Sequence, residues 1–116
     1  MNEVKLPWPP AGLSPNDRLH WAKKALAAKR YKHTCWALAL EEKVSAKWDG
    51  PVHLWVTFAP PDRRHRDMDN MIASIKSGLD GLAMALKVND SRFVLHLNVS
   101  TLRDGCVLVN ILPEQV

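Results

Sequence analysis

The chain has 116 residues, 47% hydrophobic and 24% charged, a balance that suits one packed domain with a single core and excludes a disordered or fibrous chain. The formal net charge is +4 and the pI near 9.3, which favours an anionic partner. Two cysteines far apart, Cys35 and Cys106, argue against a disulfide framework. With no leader and no apolar run near the roughly 20 residues of a membrane span, the reading is a cytoplasmic, reduced protein with no membrane partner.

In chain order, Val4 to Leu6 predicts a short strand that runs into a rigid, proline-rich loop through Pro10 and Pro15. From Asp17 to about Lys47 there is no Gly or Pro, and Ala, Leu, Lys and Glu abound. This predicts the longest helix, with Asn16 or Asp17 as N-cap. Trp21, Ala25, Ala28, Tyr31, Cys35, Leu38 and Ala39 recur at steps of three and four and form its packing face. Lys23, Lys24, Lys29, Arg30, Lys32 and His33 form a basic face that suits either a nucleic-acid backbone or plain solvation.

After the Asp49–Gly50 turn, Val52, Leu54, Val56 and Phe58 alternate with His53, Trp55 and Thr57, which predicts a largely buried strand. Asn70 to about Lys87 predicts a second helix. Two strands follow, Arg92 to about Leu102 and Cys106 to Leu112, expected to pair through the turn at Asp104 and Gly105. The order β-α-β-α-β-β over residues 1–116 implies one compact α+β domain with a mixed β-sheet and two helices.

The chemistry concentrates in RRHRDMDNMI (Arg63 to Ile72). Asp67 and Asp69 stand two apart behind Arg63, Arg64, His65 and Arg66. Carboxylates gather a divalent metal and arginines gather phosphates, as phosphodiester hydrolysis requires. On a helical wheel Asp69, Ala73, Lys76 and Asp80 fall within about 60° of one another, while Met71, Ile72, Ile75, Leu79, Leu82 and Leu86 form the core-facing side. Asp90, in the turn before the next strand, is the third carboxylate of a hard oxygen set suited to Mg²⁺, with Mn²⁺ as a substitute. Lys76 would stabilise developing phosphate charge or orient water, and Arg63, Arg64 and Arg66 would hold neighbouring phosphates. On spacing alone the same residues equally suit a helix cap (Asp69), a loop residue paired with an arginine (Asp67) and a turn former (Asp90). The histidines His20, His33, His53, His65 and His96 have no zinc-ligand spacing; His65 alone sits among the candidate site residues. Trp8, Trp21, Trp36, Trp48 and Trp55 read as core and interface material.

LPWPP, PNDRLHW, RDMDN, and KSGLDGL followed by VNDS occur in this order across nearly the whole chain, and together they resemble the RusA family of Holliday junction resolvases. The resemblance implies a small homodimeric, Mg²⁺-dependent endonuclease of DNA recombination and repair, often carried by phages or prophages, that introduces paired symmetric nicks in four-way DNA junctions. By motif position it implies Asp67, Asp69 and Asp90 as catalytic, metal-binding residues, Lys76 as the catalytic lysine and Arg66 as a DNA contact. Two positions depart from the pattern. Ala73 stands where many members have the lysine, and Asn89 replaces the first acidic residue of the paired turn. A two-fold dimer would match the near two-fold junction, with the Trp8 segment or the last strands as interface. The alternatives are a broader branched-DNA or flap nuclease with the same site, and a catalytically idle junction-binding protein.

Overall fold

The computed structural model describes residues 2–15 and 20–114. Alternation of apolar residues builds its sheet. In β2 (Val52–Ala59), Val52, Leu54, Val56 and Phe58 bury one face, as the two-residue period of a strand requires. β4 (Cys106–Leu112) does the same with Val107, Val109 and Ile111, and β1 (Glu3–Pro7) adds Val4 and Leu6. With β3 (Phe93–Val99) they form a four-stranded mixed sheet in the order β1-β4-β2-β3. β4 runs antiparallel to both β1 and β2, while β3 runs parallel to β2.

The two helices, α1 (Trp21–Glu41) and α2 (Met68–Leu86), pack on each other and share one core with the sheet. Tyr31, Cys35 and Ala39 of α1 and Met71, Ile75, Leu79, Leu82 and Leu86 of α2 are its buried helical residues. Glycine permits the close crossing. A Cβ at Gly81 would run into the backbone carbonyl of Lys32, and one at Gly78 would lie 2.7 Å from Tyr31 Cε2. The Tyr31 hydroxyl donates to the Pro7 carbonyl at 2.6 Å, which ties α1 to the end of β1. On the other sheet face His53 and His96 share a 2.8 Å hydrogen bond, and Trp55 stacks on His96 with centroids 4.2 Å apart. Among the described residues, no helix is long and apolar enough to cross a membrane.

The expected α+β class, mixed sheet, two helices and element order are all present. The pairing of the last two strands is not. β3 and β4 form no hairpin, because β2 lies between them and the 100–105 connection steps over the end of β2. Gly105, at φ +67, turns that connection against Pro61. The physical reason lies in burial: alternate residues of β4 are fully covered and need strands on both sides, whereas β3 leaves residues on both faces exposed, as an edge strand does.

The first helix is also shorter than expected, starting at Trp21 and ending at Glu41. His20 caps it, its Nδ1 accepting the Ala22 N–H at 3.2 Å; the expected caps Asn16 and Asp17 lie outside the described residues. At the other end Lys43 takes a left-handed conformation, φ 55, and Val44 N–H turns back to the Ala39 carbonyl. Trp21 is not a packing residue, being 76% exposed, and Ala25 is exposed as well.

Candidate metal and nucleic-acid site

Sheet direction and helix polarity bring three loops to one edge. β1, β2 and β3 all end there, so Trp8, the segment from Pro60 to Asp67 and the 100–105 connection meet, and α2 begins among them. Backbone bonds join them: Trp8 N–H donates to the Gly105 carbonyl at 3.2 Å and Ser100 N–H to the Phe58 carbonyl at 2.8 Å. The carboxyl ends of parallel strands, beside a helix N-terminus, are where open α/β sheets commonly place their ligand crevices.

Asp62 organises the arginine loop, a role its place in the sequence does not reveal. Its carboxylate accepts the Arg64 N–H at 2.9 Å and pairs with the guanidinium groups of Arg66 at 2.9 Å and Arg64 at 3.4 Å. The Arg64 N–H, helped by the two guanidinium groups, holds the Asp62 carboxyl below the usual carboxylate range. Arg66 also donates to the carbonyls of Asp62 and Arg64 at 3.3 and 3.0 Å, and its guanidinium lies 5.3 Å from the Trp8 ring centroid. With only 16% of its side chain exposed, Arg66 braces the loop rather than facing outward. Arg63 and the highly exposed Arg64 are the arms that point to solvent. Trp8 in turn packs edge-on against Phe58, centroids 6.1 Å apart.

Between the Trp8 segment and this loop lies a cleft of about 570 Å³, with Phe58 and Met71 in its floor and Arg66, Asp67 and Asn70 in its wall. Asp67 is extended, φ −77 and ψ 140, and stands at the N-cap of α2, so the helix begins two residues before the Asn70 start expected from the sequence and Asp69 lies in its first turn. An aspartate there ordinarily bonds the first-turn N–H groups. Asp67 makes no such cap, and its carboxylate meets His65 Nε2 at 3.1 Å instead. Asp69 follows in the first helical turn, exposed, where the positive end of the helix favours a carboxylate. Lys76 is two turns further along, about 10 Å by helical rise. It is 72% exposed and loosely paired with Asp80 at 3.9 Å.

Asp90 is not among them. It begins a short 3₁₀ turn beyond the far end of α2, next to the start of β3. α2 is 19 residues long, so its two ends, and with them Asp69 and Asp90, stand about 27 Å apart. The length of β2 gives about 23 Å for the same separation between sheet edges. Asn89, beside it, holds the turn in shape. Its Oδ1 accepts the Ser91 N–H at 2.9 Å, which an aspartate would do equally well. Among the described residues no three His, Cys, Asp or Glu side chains of one chain cluster as a metal site. Asp67 and Asp69 still fit Mg²⁺, which keeps several waters and is commonly held by one or two carboxylates.

No family model matches the chain. It is 39% identical over 99 residues to an uncharacterized protein of Xylella fastidiosa. That match covers 83% of this chain and 65% of the relative, so the chain spans less than two thirds of the relative's length.

Proposed function

We propose that this chain is a RusA-like, Mg²⁺-dependent endonuclease that resolves four-way DNA junctions by paired symmetric nicks, acting as a homodimer. The observation that carries the reading is the pair Asp67 and Asp69 at the mouth of α2, exposed, with Arg63 and Arg64 pointing outward on one side and Lys76 on the same helical stripe. Asp67 and Asp69 would hold the cation. When bound, Mg²⁺ supplies a water of lowered pKa and offsets charge on the attacked phosphate. Lys76, weakly engaged with Asp80, can swing to a phosphate oxygen, and the outward arginines can hold the neighbouring phosphates and set the strand's position. His65, hydrogen-bonded to Asp67, orients that carboxylate. Asp90 is too far to serve the same cation within one chain, so its carboxylate would come from the second subunit.

Incubating the protein with a labelled four-way junction, a matched duplex and a flap, with Mg²⁺ or EDTA, tests the reading. Paired nicks in the junction alone, dependent on Mg²⁺ and lost in Asp69→Asn, are expected. Equal cutting of all branched forms would make it a broader nuclease, and tight junction binding without nicks an idle binder.

A further inference from the structure

The sheet face away from the helices carries a pair of histidines that the candidate nuclease site does not use. His53 of β2 lies in register with Val94 of β3, and His96 with Trp55, so the two histidines are diagonal neighbours on one face. Their rings meet nitrogen to nitrogen, His53 Nδ1 to His96 Nε2 at 2.8 Å, with the ring planes 28° apart. Trp55 stacks on His96 with 4.2 Å between centroids and 10° between planes, which fixes the orientation of that imidazole. Both histidines are half-buried. The residues around them on this face, Thr57, Val94, Asn98, Asn110 and Leu112, carry no charge, so no adjoining cation repels a metal ion.

We propose that His53 and His96 form a two-histidine binding site for a divalent transition cation, Cu²⁺ above Ni²⁺ and Zn²⁺, that clips the edge strand β3 to β2. The hydrogen bond between the rings needs one lone pair and one N–H. When that hydrogen moves to the other nitrogen of its own ring, both facing nitrogens carry lone pairs, and no proton is released. Metal–nitrogen bonds of about 2.0–2.1 Å set two adjacent ligands roughly 2.9 Å apart in a square and roughly 3.3 Å apart in a tetrahedron. A pivot of the His53 ring, with a widening of about 0.5 Å at most, therefore brings both lone pairs onto one ion. Imidazole suits Cu²⁺, Ni²⁺ and Zn²⁺ rather than Mg²⁺, so the pair differs in chemistry as well as place from Asp67 and Asp69. Among the described residues no third His, Cys, Asp or Glu side chain joins it, and water completes the coordination. β3 is paired with β2 alone, so an ion shared by the two strands fastens an edge held by one neighbour. The site stands apart from the nuclease reading.

Copper itself is the probe. Electron paramagnetic resonance of the Cu²⁺-loaded protein is expected to show two coordinated imidazoles, and Cu²⁺ beside His96 should quench the fluorescence of the stacked Trp55. His53→Gln and His96→Gln should each leave one imidazole, with unchanged circular dichroism, and weaken binding by more than the roughly tenfold that losing an outer-shell partner costs. Trp55→Phe should keep the affinity and lose most of the quenching. Ni²⁺ should raise the Tm of the wild type and of neither histidine variant. A wild-type spectrum with fewer than two imidazoles, or affinity and quenching unchanged in both histidine variants, overturns the proposal. The wild-type spectrum decides by itself should a variant fail to fold.

Discussion

Replacing Arg66 separates a DNA contact from a structural brace. In the structure its guanidinium donates to two carbonyls and covers the Trp8 ring, so Arg66→Ala removes two partly exposed hydrogen bonds and one cation–π contact. At about 1 kcal/mol for the better-covered bond and about 0.5 kcal/mol each for the other bond and the ring contact, the loss is about 2 kcal/mol, leaving out the water-facing Asp62 ion pair. For a domain of this size that corresponds to a fall of roughly 6–8 °C in Tm. Arg66→Lys keeps the charge but cannot make the planar fork, so it should lose most of the same stability. The assay is thermal unfolding by circular dichroism beside junction affinity measured against salt. Arg63→Ala should leave Tm unchanged while lowering the salt slope by about one phosphate contact. An unchanged Tm in both Arg66 variants, with affinity lost in Arg66→Ala and kept in Arg66→Lys, would refute the brace.

Three other outcomes follow from the geometry. Gly81→Ala gains about 1 kcal/mol of helix propensity but drives a methyl into the Lys32 carbonyl, a backbone group that cannot rotate aside; overpacking of about 1–3 kcal/mol should win, and a rise in Tm would contradict the close crossing. Burial pushes the Cys35 thiol up to about 11 from 9.0, so the stability linked to it is complete below about pH 8.5 and is lost as pH climbs toward 11, by about 2–3 kcal/mol. Burial pushes the Tyr31 phenol upward too, adding to the loss above pH 10. Tm curves for wild type and Cys35→Ala that run parallel from pH 8 to 10 would exclude the thiol as a cause. Asn89→Ala removes a cap worth about 1 kcal/mol and should keep cleavage, whereas Asp90→Asn should abolish cleavage and keep the fold; the reverse pattern in a nicking assay would reassign the two residues.

Elements that announce themselves by periodicity are legible in the sequence: the alternation in β2 and β4 and the apolar stripe of α2 from Met71 to Leu86 all lie where the pattern puts them. The end of α1 is not legible, since Lys43 takes the left-handed conformation that glycine usually signals. Strand order is hidden as well, because Asp104–Gly105 is as suited to a step over a neighbouring strand as to a hairpin. Within the site, the sequence shows four basic residues in a row but not that Trp8, more than fifty residues earlier, turns Arg66 inward while Arg63 and Arg64 stay outward. The separation of Asp90 could have been read from helix length alone: a carboxylate at the start of a 19-residue helix and one beyond its end stand apart.

The position of β4 between β1 and β2 gives the domain a particular route to completion. β1 and β2 cannot touch each other, and Val4 and Leu6 find their register only on Val109 and Val107, about a hundred residues away in the chain. Until β4 arrives, β1 has no partner and β2 is a bare edge on that side, so a truncation before Cys106 removes two of the sheet's three strand pairings rather than trimming its margin. Closing so long a loop before any contact rewards it makes folding slow and all-or-none. The half-made sheet is also the species most exposed to aggregation during synthesis.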